Sequence, residues 1–309
     1  MIWPAEDIWQ SCVPLLPALT VEVLKEVDST NSELMRRARA GQTDPVFLVA
    51  ESQTAGRGRL GRQWHAQAGA SLTFSLGLRL HPADWSGLSL ALGLSVANSL
   101  DPHGELGLGL KWPNDLWVTC ARPEPAPQGV SNGQEREKQQ ALARLDTRSY
   151  WAKLGGILIE TAALPNVESF TSPQQDTTMD RYCVVGVGVN IVAPHTHDFS
   201  TPAVGLSELP NRTHRANAPD QQHLVTTAPH ALAAIAQPLL AAVLAFEAQG
   251  FAPLQAAFHS RDVLRNHAVT LSDGRHGVAR GVDNAGVLLV DTDQGLQRIS
   301  SAEVSVRLR

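Results

Sequence analysis

The apolar positions of this chain change period along its length, and the changes mark out elements. VEVLKEV (21–27) alternates apolar and polar residues, the pattern of a half-buried strand. In the next stretch, DSTNSELMRRARAG, the period becomes helical. Leu34, Met35 and Ala38 form one stripe, Ser29 or Thr30 can cap the amino end, and Gly41 can close the carboxyl end. Glu33 stands three residues after Thr30, as in a capping box. PVFLVAES (45–52) is a continuous apolar run and predicts a buried strand. SLTFSLGLRL (71–80) has Leu72, Phe74, Leu76, Leu78 and Leu80 at period two, again a strand, and LSLALGLSVANSL (88–100) predicts a buried helix. LGLGLKWPNDLWV (106–118) holds two apolar strands around Lys111 to Asp115, where Pro113 interrupts the ladder and Asn114-Asp115 favour a turn.

KLGGILIE (153–160) predicts an apolar strand just after Lys153. YCVVGVGVNI (182–191) predicts another, with Gly186 and Gly188 where something approaches the backbone closely. PHALAAIAQPLLAAVLAFEAQG (229–250) is a helix with an expected kink at Pro238, and FAPLQAAFHSRD (251–262) continues as a second helix. From about residue 265 short strands alternate with turns at Asp273-Gly274 and Asn284 to Gly286, a small β-barrel-like unit of about 45 residues. Residues 1–20, with three prolines, read as an extended lead-in. Residues 121–149 and 165–181 are polar insertions, and 193–228 is loop-like.

Composition narrows the class. The chain has 309 residues, 43% apolar and 18% charged, with a net charge of −5. That describes a globular protein with ample core and argues against broad electrostatic binding of nucleic acid. The three cysteines (Cys12, Cys120, Cys183) form no C-x-x-C, so a reducing, cytoplasmic setting is expected. No basic region precedes an apolar one at the start, and no signal peptide or membrane span is expected. His195 and His197 form an H-x-H without further ligands, so no tightly bound metal is expected.

The chemistry concentrates in AESQTAGRGRLGRQW (50–64). Gly56, Gly58 and Gly61 interleave with Arg57, Arg59 and Arg62, so a flexible backbone can close over an anion while planar guanidinium forks grip it. A solvated basic turn is the plainer reading. The G-x-G-x-x-G match is not a dinucleotide fingerprint, because a strand and not a helix follows it. Nor is it a kinase loop, since no V-A-I-K lysine strand or H-R-D loop is present. Ser29, Thr30 and Asn31 exceed what one helix cap requires. Lys111, Asn114 and Asp115 can be a hairpin turn alone, or they can serve phosphate and magnesium. Lys153 can be a solvent-facing strand neighbour or a site cation.

DSTN, the loop from Gln53 to Arg62, KWPND, KLGGILIE and VVGVGVN occur in this order. The set closely resembles the biotin–protein ligases (biotin–[acetyl-CoA-carboxylase] ligases) over roughly residues 25–309, apart from the insertions. The resemblance implies an α+β fold: a mixed β-sheet flanked by helices, related to class II tRNA synthetases, over 1–263, and an SH3-like barrel over 264–309. It implies activation of biotin with Mg-ATP to biotinyl-5′-AMP, then transfer to a lysine of a biotin carboxyl carrier protein. It also implies roles by position. Ser29, Thr30, Asn31, Gln53, Arg57, Gly58, Arg59 and Lys153 would contact biotin. Arg59, Arg62, Lys111, Asn114, Asp115 and Asn190 would contact the nucleotide, with Asp115 toward Mg2+. Lys153, Arg59 and Lys111 would be catalytic. Biotin, ATP and Mg2+ are then substrates. The alternatives are a lipoate–protein ligase, or a non-catalytic biotin- or carrier-binding module. Only about 20 residues precede the first strand, too few for the winged helix that many bacterial relatives carry, so neither DNA binding nor repression is expected. Monomer and homodimer both remain open.

Overall fold

A computed structural model of the chain describes residues 1–120, 150–164, 181–194, 201–209, 225–300 and 306–308. The first unit is β1 (Thr20–Val27), α2 (Thr30–Arg39) and β2 (Val46–Gln53). The two strands are parallel, as a helical crossover allows, and α2 is preceded in the chain by α1 (Ala5–Cys12). Every later pairing in the sheet is antiparallel. β3 (Ser71–Leu80), β4 (Leu108–Lys111), β5 (Asp115–Cys120), β6 (Tyr150–Ala163) and β7 (Arg181–Asn190) complete seven strands in the order β1-β2-β3-β7-β6-β5-β4.

Both faces of this sheet are covered, which explains the unbroken apolar run of β2. Phe47 and Val49 join the main core with Leu72, Phe74 and Leu76 of β3, under α3 (Leu88–Leu100) and α4 (Ala228–Gln249). Val46 and Leu48 face the other way and pack with Leu34, Met35 and Ala38 of α2 and with Tyr182. Burial in that second cluster pushes the Tyr182 hydroxyl up to about 12. The polar positions of β3 are not solvent-facing: Ser71, Thr73 and Ser75 are buried on the α2 side, where the candidate site lies. α4 is long and apolar enough to cross a bilayer by length and composition, and it runs on through Pro238. Leu232, Ile235, Leu239, Leu240, Val243 and Phe246 along it are buried in the core.

The C-terminal strands are β8 (Ala268–Leu271), β9 (His276–Val282), β10 (Leu288–Thr292), β11 (Gly295–Ile299) and β12 (Val306–Leu308), ordered β11-β10-β9-β8-β12 and all antiparallel. Gly274 and Gly286 take positive φ in the two turns expected there. The short α5 (Gln255–Arg261) leads into this sheet, and the Gln255 amide donates to Val282 O across the junction.

Several expectations are corrected. The lead-in is not extended. Pro4 stands at the start of α1, whose Ile8 and Cys12 are buried, because an amphipathic turn gains more by packing on the body than by staying extended. Of the two caps offered, Ser29 is the one used, which puts Ser32 and not Glu33 at the box position, and the Glu33 carboxylate binds Arg36 and Arg37 instead. The second helix after α4 splits into a 3-10 turn, Ala252–Leu254, and α5. Lys153 lies inside β6 rather than before it, Arg181 opens β7 rather than ending an insertion, and β12 adds a fifth C-terminal strand. The insertions at 121–149 and 165–180, and His195 and His197, lie outside the described residues.

Candidate functional site

A cavity of about 550 Å³ opens where the carboxyl end of β2 and the amino end of α2 meet β3, β7, β6 and the β4–β5 hairpin. All thirteen residues singled out from the sequence line it: Ser29, Thr30, Asn31, Gln53, Arg57, Gly58, Arg59, Arg62, Lys111, Asn114, Asp115, Lys153 and Asn190. They come from five separated stretches, and the sheet topology alone joins them.

One end is polar and uncharged, and the helix start organises it. The first backbone N–H groups of α2 have no partner within the helix. Ser29 Oγ accepts from Ser32 N, and Gln53 Oε1 accepts from Thr30 N at 2.8 Å, which fixes the Gln53 amide against the helix. Thr30 Oγ1 also reaches Gln53 Oε1, at 3.2 Å. Ser75 Oγ stands 2.7 Å from both the Thr30 hydroxyl and Asn31 Oδ1, and can donate to one of them at a time. Asn31 Nδ2 donates to Leu158 O at 3.2 Å and to Glu160 Oε2 at 3.0 Å. Outside the pocket, Arg36 grips Asp28 through both nitrogens and holds its carboxyl below the usual carboxylate range. Asp28 Oδ1 in turn accepts from Ser29 N.

The two β7 glycines are explained here. A Cβ on Gly186 would overlap the Asn31 carboxamide, and one on Gly188 would fall 2.5 Å from Trp64 Cε2. The close approach foreseen from the sequence is therefore made by the protein's own side chains. Trp64 sits at the end of the glycine–arginine loop, which folds back on itself. Gly58 N donates to Arg62 O, Trp64 N donates to Gly56 O, and Gln53 bridges to Ala66. Arg57 Nη1 lies 3.1 Å from Glu160 Oε1, so Glu160 links this loop to Asn31. Leu60 at the loop tip is 67% exposed with φ 54°, a left-handed conformation rare outside glycine.

The other end is cationic. Lys153 Nζ donates to Asp115 Oδ1 at 2.6 Å. Arg59 Nη1 donates to Asn114 Oδ1 at 3.3 Å, and Asn114 Nδ2 donates to Ile157 O. Burial pulls the Arg59 guanidinium below its ordinary pKa. Asp115 opposes that shift and Arg62 adds to it. Even so shifted, arginine stays charged at neutral pH. Lys111 Nζ lies 4.9 Å from the centroid of the Trp117 ring, a cation–π distance. A bulge sets the register here. Leu116 pairs with Gly155 but Trp117 pairs with Lys153, so Leu154 turns into the core and Lys153 comes to face the cavity strand. Asn190 ties the end of β7 to this corner, its Nδ2 reaching Lys153 O and Val204 O.

The sequence reading did not pick out Ser75, Glu160, Trp64 or Trp117 as site residues. Ser75 was legible only as the polar phase of β3, and Glu160 only as a carboxylate ending an apolar strand. Neither signal says which neighbour it meets.

Comparison with known proteins gives the family. The biotin/lipoate A/B protein ligase family model matches residues 23–163, and that of the biotin protein ligase C terminal domain matches residues 268–307. The chain is 30% identical over 294 residues to the bifunctional ligase/repressor BirA of Escherichia coli (strain K12), covering 93% of this chain and 74% of that protein. It is 28% identical over 295 residues to the biotin–[acetyl-CoA-carboxylase] ligase of Paracoccus denitrificans, covering 91% and 98%. The solved biotin protein ligase from Aquifex aeolicus, in complex with biotin and ATP, matches with a TM-score of 0.62 at 24% identity over 94% of this chain and 99% of that one, a likeness of fold. The chain belongs to the biotin protein ligase family.

Proposed function

We propose that this chain is an ATP-dependent biotin ligase that forms biotinyl-5′-AMP and passes the acyl group to a lysine of a biotin carboxyl carrier protein. The observation that carries this is the division of one cavity. Ser29, Thr30, Asn31 and Gln53 offer neutral donors and acceptors at one end, and Arg59, Arg62, Lys111 and Lys153 gather positive charge at the other. A ligand with a ureido ring at one end and a carboxylate meeting a phosphate at the other has that distribution. The catalytic part is assigned to residues 1–263 and the C-terminal part to 264–309, which the two matched family models support.

The chemistry follows from charge. A carboxylate and a polyphosphate repel each other, so in-line attack at the α-phosphorus requires positive groups on both. Lys153, beside Asp115, is the group at the reacting carboxylate and phosphate. Arg59, Arg62 and Lys111 neutralise the rest of the nucleotide, and pyrophosphate leaves. Magnesium arrives on the phosphates as part of the substrate, with Asp115 the carboxylate offered to it. The carrier lysine amine then attacks the acyl carbon and AMP departs. ATP activates the acid and the amine supplies the second attack, so the protein needs no nucleophile of its own.

The test is to incubate the protein with Mg-ATP, carrier and either biotin or lipoate, and to read the carrier mass. Addition of a biotinyl group is expected. Transfer of lipoate instead would move the assignment to the lipoate ligases, and an unmodified carrier with biotin still bound would make the chain a binding module.

A further inference from the structure

The cationic end of the cavity contains a donor that nothing so far uses. Trp117 is only 7% exposed, and its indole Nε1 has no hydrogen-bond partner among the described residues. An indole N–H can only donate, and a buried donor without an acceptor is costly. The residue nonetheless lines the cavity. Its surroundings favour negative charge. Lys111 lies over its ring face, and Lys153 stands opposite it across the β5–β6 ladder. Asp115, the carboxylate two residues before it on β5, gives its Oδ1 to Lys153 Nζ at 2.6 Å and makes no bond to the indole. A group with free acceptor oxygens and negative charge would satisfy the indole N–H in a setting that two neighbouring ammonium groups make favourable for it.

We propose that Trp117 is a further nucleotide-binding residue, which donates its indole N–H to a phosphate oxygen of the polyphosphate chain while its ring face holds Lys111 beside the same phosphates. The assignment rests on the ligase reading for the identity of the ligand, but it concerns phosphate binding and not turnover. Ring and N–H separate cleanly by substitution. Trp117→Phe keeps a face for Lys111 and removes the donor, and Trp117→Leu removes both.

The experiment is isothermal titration of the full chain and of Trp117→Phe with ATP, adenosine, inorganic pyrophosphate and biotin. A hydrogen bond to a charged acceptor corresponds to roughly ten-fold or more in affinity. Trp117→Phe should lose about that factor for ATP and pyrophosphate, Trp117→Leu should lose more, and neither should change for adenosine or biotin. Unchanged ATP affinity in Trp117→Phe overturns the proposal. An equal loss for adenosine also overturns it, because the donor would then serve the nucleoside. If the variants fail to bind biotin and so are misfolded, the wild-type protein decides through its 15N-indole spectrum. One indole N–H signal should move with pyrophosphate and stay fixed with adenosine, and no such movement overturns the proposal. Wild-type protein that binds ATP but releases no pyrophosphate with biotin would sink the ligase reading and leave this assignment standing.

Discussion

Gly186→Ala tests how the neutral end of the cavity is built. A methyl group at Gly186 would occupy the position of the Asn31 carboxamide, and Asn31 is 3% exposed with little room to move. To make space, Asn31 must leave Leu158 O, Glu160 and Ser75. The two neutral bonds contribute about 1 kcal/mol each and the bond to the Glu160 carboxylate about 2, so the loss should be about 4 kcal/mol. Urea denaturation of wild type, Gly186→Ala, Asn31→Ala and the double variant measures it. The residues touch, so the two changes should be strongly non-additive, and the double variant should be about as stable as Asn31→Ala alone, because the added methyl then enters emptied space. Biotin titration on the same proteins should show Gly186→Ala weakened at least as much as Asn31→Ala. A Gly186→Ala protein within about 0.5 kcal/mol of wild type, or a strictly additive double variant, would refute the claim that this glycine exists to admit Asn31.

Other outcomes follow from the same geometry. Lys153→Ala should slow biotin-dependent pyrophosphate release by on the order of a hundred-fold or more, as for loss of an oxyanion-type donor, with Lys153→Arg recovering part of the rate; a rate within a few-fold of wild type returns Lys153 to a structural partner of Asp115. Trypsin cleavage after Arg57, Arg59 and Arg62 should slow when biotin and ATP are added, since a glycine-rich loop with an exposed Leu60 tip gains its order from anion contacts; equal cleavage rates with and without ligand would count against closure. Burial raises the Asp262 carboxyl from 3.8 to about 6. The folded state therefore holds that proton more tightly, and stability present below about pH 4 is lost as pH rises through about 6, by on the order of 3 kcal/mol. Asp262→Asn should remove this slope between pH 4 and 6, and a wild-type slope that persists in the variant would assign it elsewhere.

Much of this molecule was legible before any coordinates. Period-two, continuous apolar and helical patterns gave β1, β2, β3, α2, α3, α4 and four of the five C-terminal strands, because burial on one or both faces dictates those patterns locally. The separated motifs named thirteen residues that share one cavity, since each motif carries its own chemistry: glycine with arginine, lysine with a turn carboxylate, and three polar residues at a helix start. α1 was missed because its three neighbouring prolines outweighed a short amphipathic turn. Lys153 was placed before its strand and not inside it, because the sequence does not show that the ladder with β5 already starts at Tyr150. Pairing between strands far apart in sequence was decided by tertiary structure alone. Nothing in residues 71–80 says that Ser75 will meet Asn31, and nothing in 182–191 says that Gly186 and Gly188 make room for Asn31 and Trp64. Those partners are chosen by register, and register is fixed by how the whole hydrophobic set of each strand reaches the core. A sequence read one element at a time therefore yields the groups of the site, while their distances and free donors, the indole of Trp117 among them, appear only when the sheet has closed.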